Sequence, residues 1–544
     1  MSYKTYSSYN TKKTPQSQPI AGKNQVLNNA GGYVFGTDMW TQLERFLILG
    51  TEGGTYYVKG AELTRQNAGI VEQCIKSDGV RTVNTILDIS NSGRAVKNDS
   101  ALFALAMCSS IGDYKTRKLA LSVLPEVARI FTHLSHFLTY VQGLRGWGRA
   151  LRDGVAKWYT DKSANQLAYQ MAKYRQRDGW THRDAIRLSH PKPKDKTQNF
   201  LFGYAVGKNE ISRTLGLDNE IGILAGFELA QEVEKESSVI KLIKKYGLTR
   251  EMIPTEYLKS ADVWEALFGD GKMPVHALVR NLGNMSKVGF LTQQNFDAVN
   301  SVARALTNVE KIKKSRLHPL SILTALKTYS SGQGWRGSGT WEVVPKVVDA
   351  LDEAFYKAFD NVEPTGKKIF LACDVSGSMS SAIAGMNISA CEATGALALV
   401  TASVEPNVII KGFSSGDGEY WTRNTLLKDL NISPRQRLDD VVRKMEKMNF
   451  GRTDCALPMV WALKEKVEVD AFVILTDNET WHGNIHPVQA LNEYRNKINP
   501  NAKLIVVGMT STGFSIADPT DANSLDIVGM DTAIPTLINN FIKD

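Results

Sequence analysis

Asp374, Ser376 and Ser378 fall at alternate positions near the end of Lys-Lys-Ile-Phe-Leu-Ala-Cys-Asp-Val-Ser-Gly-Ser-Met, which closes at Met379. Further along, Thr453 lies in Gly-Arg-Thr-Asp from Gly451, and Asp477 lies in Phe-Val-Ile-Leu-Thr-Asp-Asn-Glu from Phe472. All five side chains are hard oxygen donors. Such a set suits Mg²⁺ or Mn²⁺ in an octahedral shell that keeps waters, and it does not suit zinc or copper. Ser376 and Ser378 are two apart, so one tight turn can aim both hydroxyls at one ion. The expected site has Ser376, Ser378 and Thr453 on the metal, Asp374 and Asp477 acting directly or through water, and a position open to a partner's carboxylate. The plain alternative is that these are ordinary turn residues, since Ser, Thr and Asp favour loops.

The first and third stretches each follow an apolar, β-branched run, which reads as a buried parallel strand. Strand-like runs occur at 369–374, 408–413, 472–476 and 504–507. Helical runs lie between and after them, near 388–404, 437–448, 455–465 and 488–498. This alternation predicts a parallel sheet covered by helices, with the donors just past the strand ends, where open α/β sheets bind ligands. A turn-rich step at Asn361-Val-Glu-Pro-Thr-Gly-Lys-Lys precedes the first strand and sets the domain boundary. Before it, apolar residues recur at helical spacing, as in 80–89, 101–108 and 239–246. Strand signals there are few, so the region reads as an all-α body of stacked helix pairs. The domains are therefore 1–24, a flexible basic arm; 25–361, a helical body; and 362–544, an α/β domain.

At 544 residues the chain is too long for one core, and its 43% hydrophobic and 22% charged residues are those of a soluble globular protein. No apolar run reaches the length of a membrane span, and Met-Ser-Tyr-Lys-Thr-Tyr has no apolar signal segment. Cys74, Cys108, Cys373, Cys391 and Cys455 are odd in number and scattered, which predicts free, mostly buried thiols and a reducing, cytoplasmic location. Charge is uneven. From Glu363 onward 17 Lys and Arg face 22 Asp and Glu, leaving 48 against 34 for the rest of the chain. A basic body of this size points to a polyanionic partner.

The densest basic stretch runs from Arg145 to Lys196, with 13 Lys and Arg against five Asp and with Trp147, Trp158, Tyr159, Tyr169, Tyr174 and Trp180 interleaved. Ala164, Leu167, Ala168, Met171 and Ala172 form a core-facing helical stripe. The opposite face then carries Lys162, Gln166, Gln170, Lys173 and Arg177. A second helix can begin at Thr181 with Asp184 as its capping partner, carry Arg183 and Arg187 four apart, and stop before Pro191. Arg145, Arg149 and Arg152 share a face in the same way. Like charges at this spacing destabilise a helix by a few tenths of a kcal/mol per pair. Phosphates would offset that cost, and exposed aromatics could stack on unpaired bases. The candidate RNA contacts are Arg145, Arg149, Arg152, Lys173, Arg177, Trp180, His182, Arg183 and Arg187. A solvated charged face is the competing reading.

The three donor stretches, in this order and on these strands, resemble the metal-ion-dependent adhesion site of von Willebrand factor A domains. The whole chain after the arm resembles the Ro autoantigen family, in which a TROVE domain precedes a von Willebrand A domain. The matching stretches include Gly50-Thr-Glu-Gly-Gly-Thr-Tyr-Tyr, Gly179-Trp-Thr-His-Arg-Asp, Arg187-Leu-Ser-His-Pro and Val279-Arg-Asn-Leu-Gly-Asn-Met. Further on they include Arg316-Leu-His-Pro, Val362-Glu-Pro-Thr-Gly-Lys, Thr453-Asp-Cys-Ala-Leu-Pro-Met, Thr476-Asp-Asn-Glu-Thr and Ala502-Lys-Leu-Ile-Val-Val-Gly-Met-Thr-Ser. The resemblance implies a ring of HEAT-like helical repeats with a positively charged hole. It implies binding of small structured Y RNAs on the outer surface and of single-stranded ends of misfolded RNAs in the hole. It also implies roles in RNA quality control and stress survival, and recruitment of an exoribonuclease, polynucleotide phosphorylase, in bacterial relatives.

Other motifs carry less. Gly50-Thr-Glu-Gly-Gly-Thr and Gly332-Gln-Gly-Trp-Arg-Gly-Ser-Gly lack the Gly-Lys-Ser/Thr ending of a phosphate loop, although Arg336 in the second could touch RNA. His133 and His136 read as packed helical residues, and His482 and His486 have no Glu between them for a zinc protease. The resulting expectation is a non-enzymatic, monomeric, cytoplasmic RNA-binding scaffold that does not engage membranes. A metal-dependent protein-docking scaffold is the alternative. A nuclease using Asp374 and Asp477 is a third reading, poorly supported because two-metal nucleases need more carboxylates.

Overall fold

The computed structural model describes residues 13–52, 54–55, 57–211, 221–269, 271–315, 317–335, 337–359, 364–414, 427–447 and 451–543. Residues 1–12 of the expected arm, Arg336, residues 361–363 of the expected boundary and Met448 lie outside that set. The chain divides into two compact units. One comprises residues 1–67, 318–327 and 358–544, and the other comprises 68–317 and 328–357.

The first unit is built on a six-stranded sheet. Its order is Ser524–Val528, Lys503–Gly508, Ala471–Thr476, Ile369–Asp374, Val408–Phe413 and Leu427–Asp429. All neighbours are parallel except the last pair, where Leu427–Asp429 runs antiparallel at the edge. Every residue of Ile369–Asp374 and Ala471–Thr476 is buried, as expected for central strands covered on both faces. The helices Ala390–Val404, Leu438–Glu446, Leu457–Lys464 and Pro487–Lys497 fall where the apolar periodicity places them. Phe370, Phe472 and Tyr494 meet in the core, with the Phe472 and Tyr494 rings edge to face at 4.9 Å.

Residues 25–67, read with the helical body, cluster instead with this sheet. The reason is strand pairing. Tyr33–Gly36 is the middle strand of a small sheet, between Gln25–Leu27 and Phe514–Ser515. Behind it the helix Met39–Leu49 contributes Arg45, a fully buried residue. Its guanidinium donates to the carbonyls of Thr512 (2.6 Å) and Phe514 (2.7 Å) and ion-pairs with Asp526. The arm also departs from expectation. From Thr14 onward it is fastened down: the Thr14 amide donates to Gln489 Oε1 (3.1 Å), Gln16 is fully buried, Ile20 is buried, and Lys23 pairs with Asp518 at 2.6 Å.

The second unit is helical, and its helices pack on near neighbours in sequence. Asp99–Ile111 lies against Tyr114–Ser122 and Phe131–Leu144, and Arg149–Thr160 against His182–Ser189. Gly222–Glu232 lies against Ala164–Lys173 and Glu236–Tyr246, the last of which meets Ala261–Phe268. This near-neighbour stacking is that of helical-repeat proteins. One hairpin interrupts it, Gln176–Arg177 with Trp180–Thr181, turning through Asp178 and Gly179. Both turn residues have positive φ (51° and 79°), which the Asp-Gly pair tolerates and a two-residue hairpin turn requires. All five cysteines are free and buried. No helix among the described residues is long and apolar enough to cross a membrane.

Candidate metal centre and nucleic-acid interface

The donor loops converge because their strands are neighbours. Ile369–Asp374 and Ala471–Thr476 run parallel in register, with Cys373 opposite Leu475, so Asp374 and Asp477 leave the sheet at the same edge. Asp374, Ser376, Ser378, Thr453 and Asp477 are all buried. Asp374 accepts from the Ser376 amide (2.9 Å) and from the Thr476 hydroxyl (2.6 Å). The Ser376 and Ser378 hydroxyls lie 3.1 Å apart, within hydrogen-bond distance of each other. Asp477 accepts from the Glu479 amide (3.1 Å). The second loop is tied in by backbone: the Gly377 amide donates to the Gly451 carbonyl (3.2 Å), and the Trp481 and His482 amides donate to the Thr453 carbonyl (3.2 Å each).

Burial holds the Asp374 carboxyl above the usual carboxylate range, and the charge of Asp477 raises it further. Burial likewise raises Asp477. Burial and then Asp477 push Glu479 up to about 8. Among the described residues neither Asp374 nor Asp477 makes an ion pair with Lys, Arg or His. Two neighbouring buried carboxylates without a cation are costly. A divalent ion among them and the three hydroxyls would remove that cost, so the residues fit the metal predicted from the sequence. The described residues contain no cluster of three His, Cys, Asp or Glu, so the donor set here leans on hydroxyls.

The two helices of the basic stretch form as predicted, but Arg145 ends the preceding helix Phe131–Leu144 and shares no helix with Arg149 and Arg152, and Arg177 lies in the hairpin rather than on Ala164–Lys173. Ala164, Leu167, Ala168, Met171 and Ala172 are buried along one face of Ala164–Lys173. His182–Ser189 begins with the Thr181–Asp184 capping box and ends at His190, just before Pro191. Arg145, Arg149, Arg152, Arg183 and Arg187 are exposed, and Arg177 and Trp180 are half-buried. The rings of Trp147 and Trp180 lie 5.9 Å apart, joining the starts of the two packed helices Arg149–Thr160 and His182–Ser189. Arg177 stands opposite Trp180 across the hairpin and over the Tyr174 ring. The hairpin is held by His136, whose ring bridges Asp99 (2.6 Å) and Asp178 (3.0 Å).

Several further expectations need correction. His182 is not on the surface. It is buried, stacked on Phe131 at 3.8 Å, and hydrogen-bonded to the Tyr159 hydroxyl (3.0 Å) and the Gln170 carbonyl (3.3 Å). Burial drives its pKa down to about 3, so it is a neutral core residue. Gln170, assigned to the polar face, is buried because its side-chain oxygen accepts from the Phe131 amide at 2.8 Å. Lys173 is mostly covered. Its ammonium donates to the Tyr169 hydroxyl (2.9 Å) and lies 3.7 Å from the Glu251 carboxylate. Trp158 and Tyr159 are also core residues rather than stacking platforms. Sequence reasoning missed the hairpin, although Asp178-Gly179 is its local signal.

Comparison with known proteins places both regions. Residues 26–328 match the TROVE domain, and residues 368–542 match the Ro60 vWA domain. The chain is 39% identical over 534 residues to the RNA-binding protein RO60 of Deinococcus radiodurans, covering 97% of each. It is 34% identical over 605 residues to the RNA-binding protein RO60 of Caenorhabditis elegans, covering 98% of this chain and 92% of the relative. The crystal structure of the Deinococcus radiodurans RO (RSR) protein superposes with a TM-score of 0.71 at 38% identity, over 93% of this chain and 99% of that one.

Proposed function

Because the chain belongs to the Ro family, with a TROVE domain followed by a von Willebrand A domain, we propose that it is a non-catalytic RNA-binding protein. Two relatives named as RNA-binding proteins support this reading. The observation on this chain that carries it is the exposed arginine face. Arg149 and Arg152 on one helix and Arg183 and Arg187 on its packed neighbour stand beside the Trp147–Trp180 pair. Guanidinium groups bind phosphate oxygens in a fixed fork, and the tryptophans offer faces for unpaired bases. Its RNAs are a small structured, Y-like RNA and the single-stranded ends of misfolded RNAs, in RNA quality control and stress survival. A partner exoribonuclease such as polynucleotide phosphorylase supplies any degradation. The protein is cytoplasmic and monomeric.

The α/β unit binds one Mg²⁺ or Mn²⁺ through Ser376, Ser378, Thr453, Asp374 and Asp477. The ion, when bound, supplies a Lewis-acidic position for a partner's carboxylate. The protein's part is to hold the three loops in register and to keep the carboxylates dry. Excess absorbance at 260 nm in the purified protein, with the RNA identified by crosslinking and sequencing, tests the RNA reading. Protein that copurifies with no RNA and retains none of a small structured RNA on a filter would leave the protein-docking scaffold as the better description.

A further inference from the structure

The stretch from Thr14 to Gly32 touches the candidate metal centre, although nothing in its composition marks it for that role. Gln16 is fully buried and reaches two donor loops at once. Its amide nitrogen donates to Asp454 Oδ1 (2.7 Å), the residue after Thr453, and to the Ile485 carbonyl (2.9 Å). Its amide oxygen accepts from the Thr480 hydroxyl, three residues past Asp477. Asp454 Oδ1 also accepts from the Ala456 amide (3.0 Å), and Thr480 Oγ1 accepts from the Cys455 amide (3.0 Å). One glutamine side chain therefore closes a hydrogen-bonded ring between the second and third loops. Its backbone is fixed too, with its amide on the Gly483 carbonyl (2.9 Å) and its carbonyl accepting from the Tyr33 amide (2.8 Å).

The far end of the stretch grips the third loop directly. Asn28 Nδ2 donates to the carbonyls of Thr480 (2.8 Å) and Asn478 (3.3 Å). The Asn29 side chain (2.7 Å) and the Ala30 amide (3.0 Å) donate to the two oxygens of Glu479. Gly32 lies so close that an added Cβ would fall 1.9 Å from the Thr480 carbonyl oxygen. Every carbonyl and side chain that the stretch holds in these contacts belongs to a residue within three positions of Thr453 or Asp477, or to the segment joining Thr480 to Ile485.

We propose that residues 14–32 form a strap that positions the metal-binding loops, with Gln16 and Asn28 as its positioning residues. Neither touches the ion; each holds loop backbone whose neighbours carry the donors. Groups that orient metal ligands typically alter affinity by about 10- to 100-fold when removed. The proposal rests on the metal reading above and adds to it a segment more than 400 residues distant in the chain.

The test uses the full chain. Mn²⁺ is titrated into wild type, Gln16→Met and Asn28→Ala, with free Mn²⁺ read by electron paramagnetic resonance. Met fills the Gln16 volume without its amide, so the fold has the best chance of surviving. Each variant's melting curve confirms folding, and amide hydrogen exchange is followed without metal. The expected result is affinity weakened roughly tenfold or more in both variants, with faster exchange at the Cys455 and Trp481 amides. A role in stability alone would lower the melting temperature and leave the Mn²⁺ affinity of the folded fraction unchanged. That result in both variants, with wild type binding Mn²⁺, overturns the strap proposal while sparing the metal site. Wild type that binds no Mn²⁺ at millimolar concentration overturns the metal reading, and the proposal falls with it.

Discussion

Replacing Arg183 and Arg187 with alanine is expected to flatten the salt dependence of RNA binding without disturbing the helix that carries them. Both side chains are exposed, while His182, Ala185, Ile186 and Ser189 face the interior. Among the described residues neither arginine makes an ion pair. The exchange therefore removes two charges and no packing, and it relieves an unfavourable pair at i, i+4. Each phosphate contact contributes a slope of about 0.7 to 0.9 in log K against log salt, so the double variant should lose about 1.4 to 1.8. Between 50 and 200 mM salt, the affinity gap between wild type and variant should then close by roughly tenfold. Lys173→Ala should change the slope by less than a full phosphate, because its ammonium is already shared between Tyr169 and Glu251. Filter binding of a small structured RNA across a salt series, with a melting curve on each protein, provides the measurement. An unchanged slope in the folded double variant removes this face from RNA binding, whatever the family.

Asp374→Ala should abolish Mn²⁺ binding by calorimetry and leave the RNA salt slope as it was; retained binding refutes the five-residue donor set. Wild-type protein with Mg²⁺ should not shorten RNA on a gel, and cleavage that vanishes in Asp374→Ala would revive the nuclease reading. His182 should make the helical unit acid-sensitive. Its folded pKa of about 3 lies below the usual 6.5, so the unfolded chain binds the proton first. Stability is full above about pH 6.5 and falls toward pH 3, by at most about 1.4 kcal/mol per pH unit from this group. His182→Gln should flatten that part of the melting temperature against pH curve, and an equal slope in the variant would count against it. Gly32→Ala should lower the melting temperature by an amount equivalent to about 1–3 kcal/mol, the usual range for overpacking. A neutral result would mean that the Thr480 loop moves away freely.

The central strands were legible because burial on both faces writes a continuous apolar run. The fully buried run at 369–374 and the partly buried run at 408–413 both match the observed strands residue for residue. The edge strands Ser524–Val528 and Leu427–Asp429 were not, since their exposed positions dilute that signal. The candidate donors stood out by type and spacing, and the sheet register brings the ends of their strands to one edge. The strap was invisible for a different reason. Gln16 and Asn28 sit in a polar, turn-rich stretch, and only partners hundreds of residues away give them a role. His182 misled because its neighbours Trp180 and Arg183 lie outward, while its own ring fills the space between Phe131 and Tyr159. Periodicity assigns a face to a helix. It does not reveal that a polar group on it has found a buried partner, as Gln170 has in the Phe131 amide.

The small sheet that joins the two ends of the chain sets a timetable for biosynthesis. Gly36 pairs with Phe514, 478 positions later. At about 5–20 residues per second, a ribosome needs roughly 25 to 100 s to cover that interval. Throughout it, Tyr33–Gly36 has an unpaired edge, and Val34 and Phe35 lack the core that buries them in the finished protein. An open apolar edge is a template for pairing with another nascent chain. The early segment must therefore be shielded until synthesis is nearly complete. A fragment started at residue 368 would never receive its missing strand, leaving Phe514 and the Arg45-binding carbonyls bare.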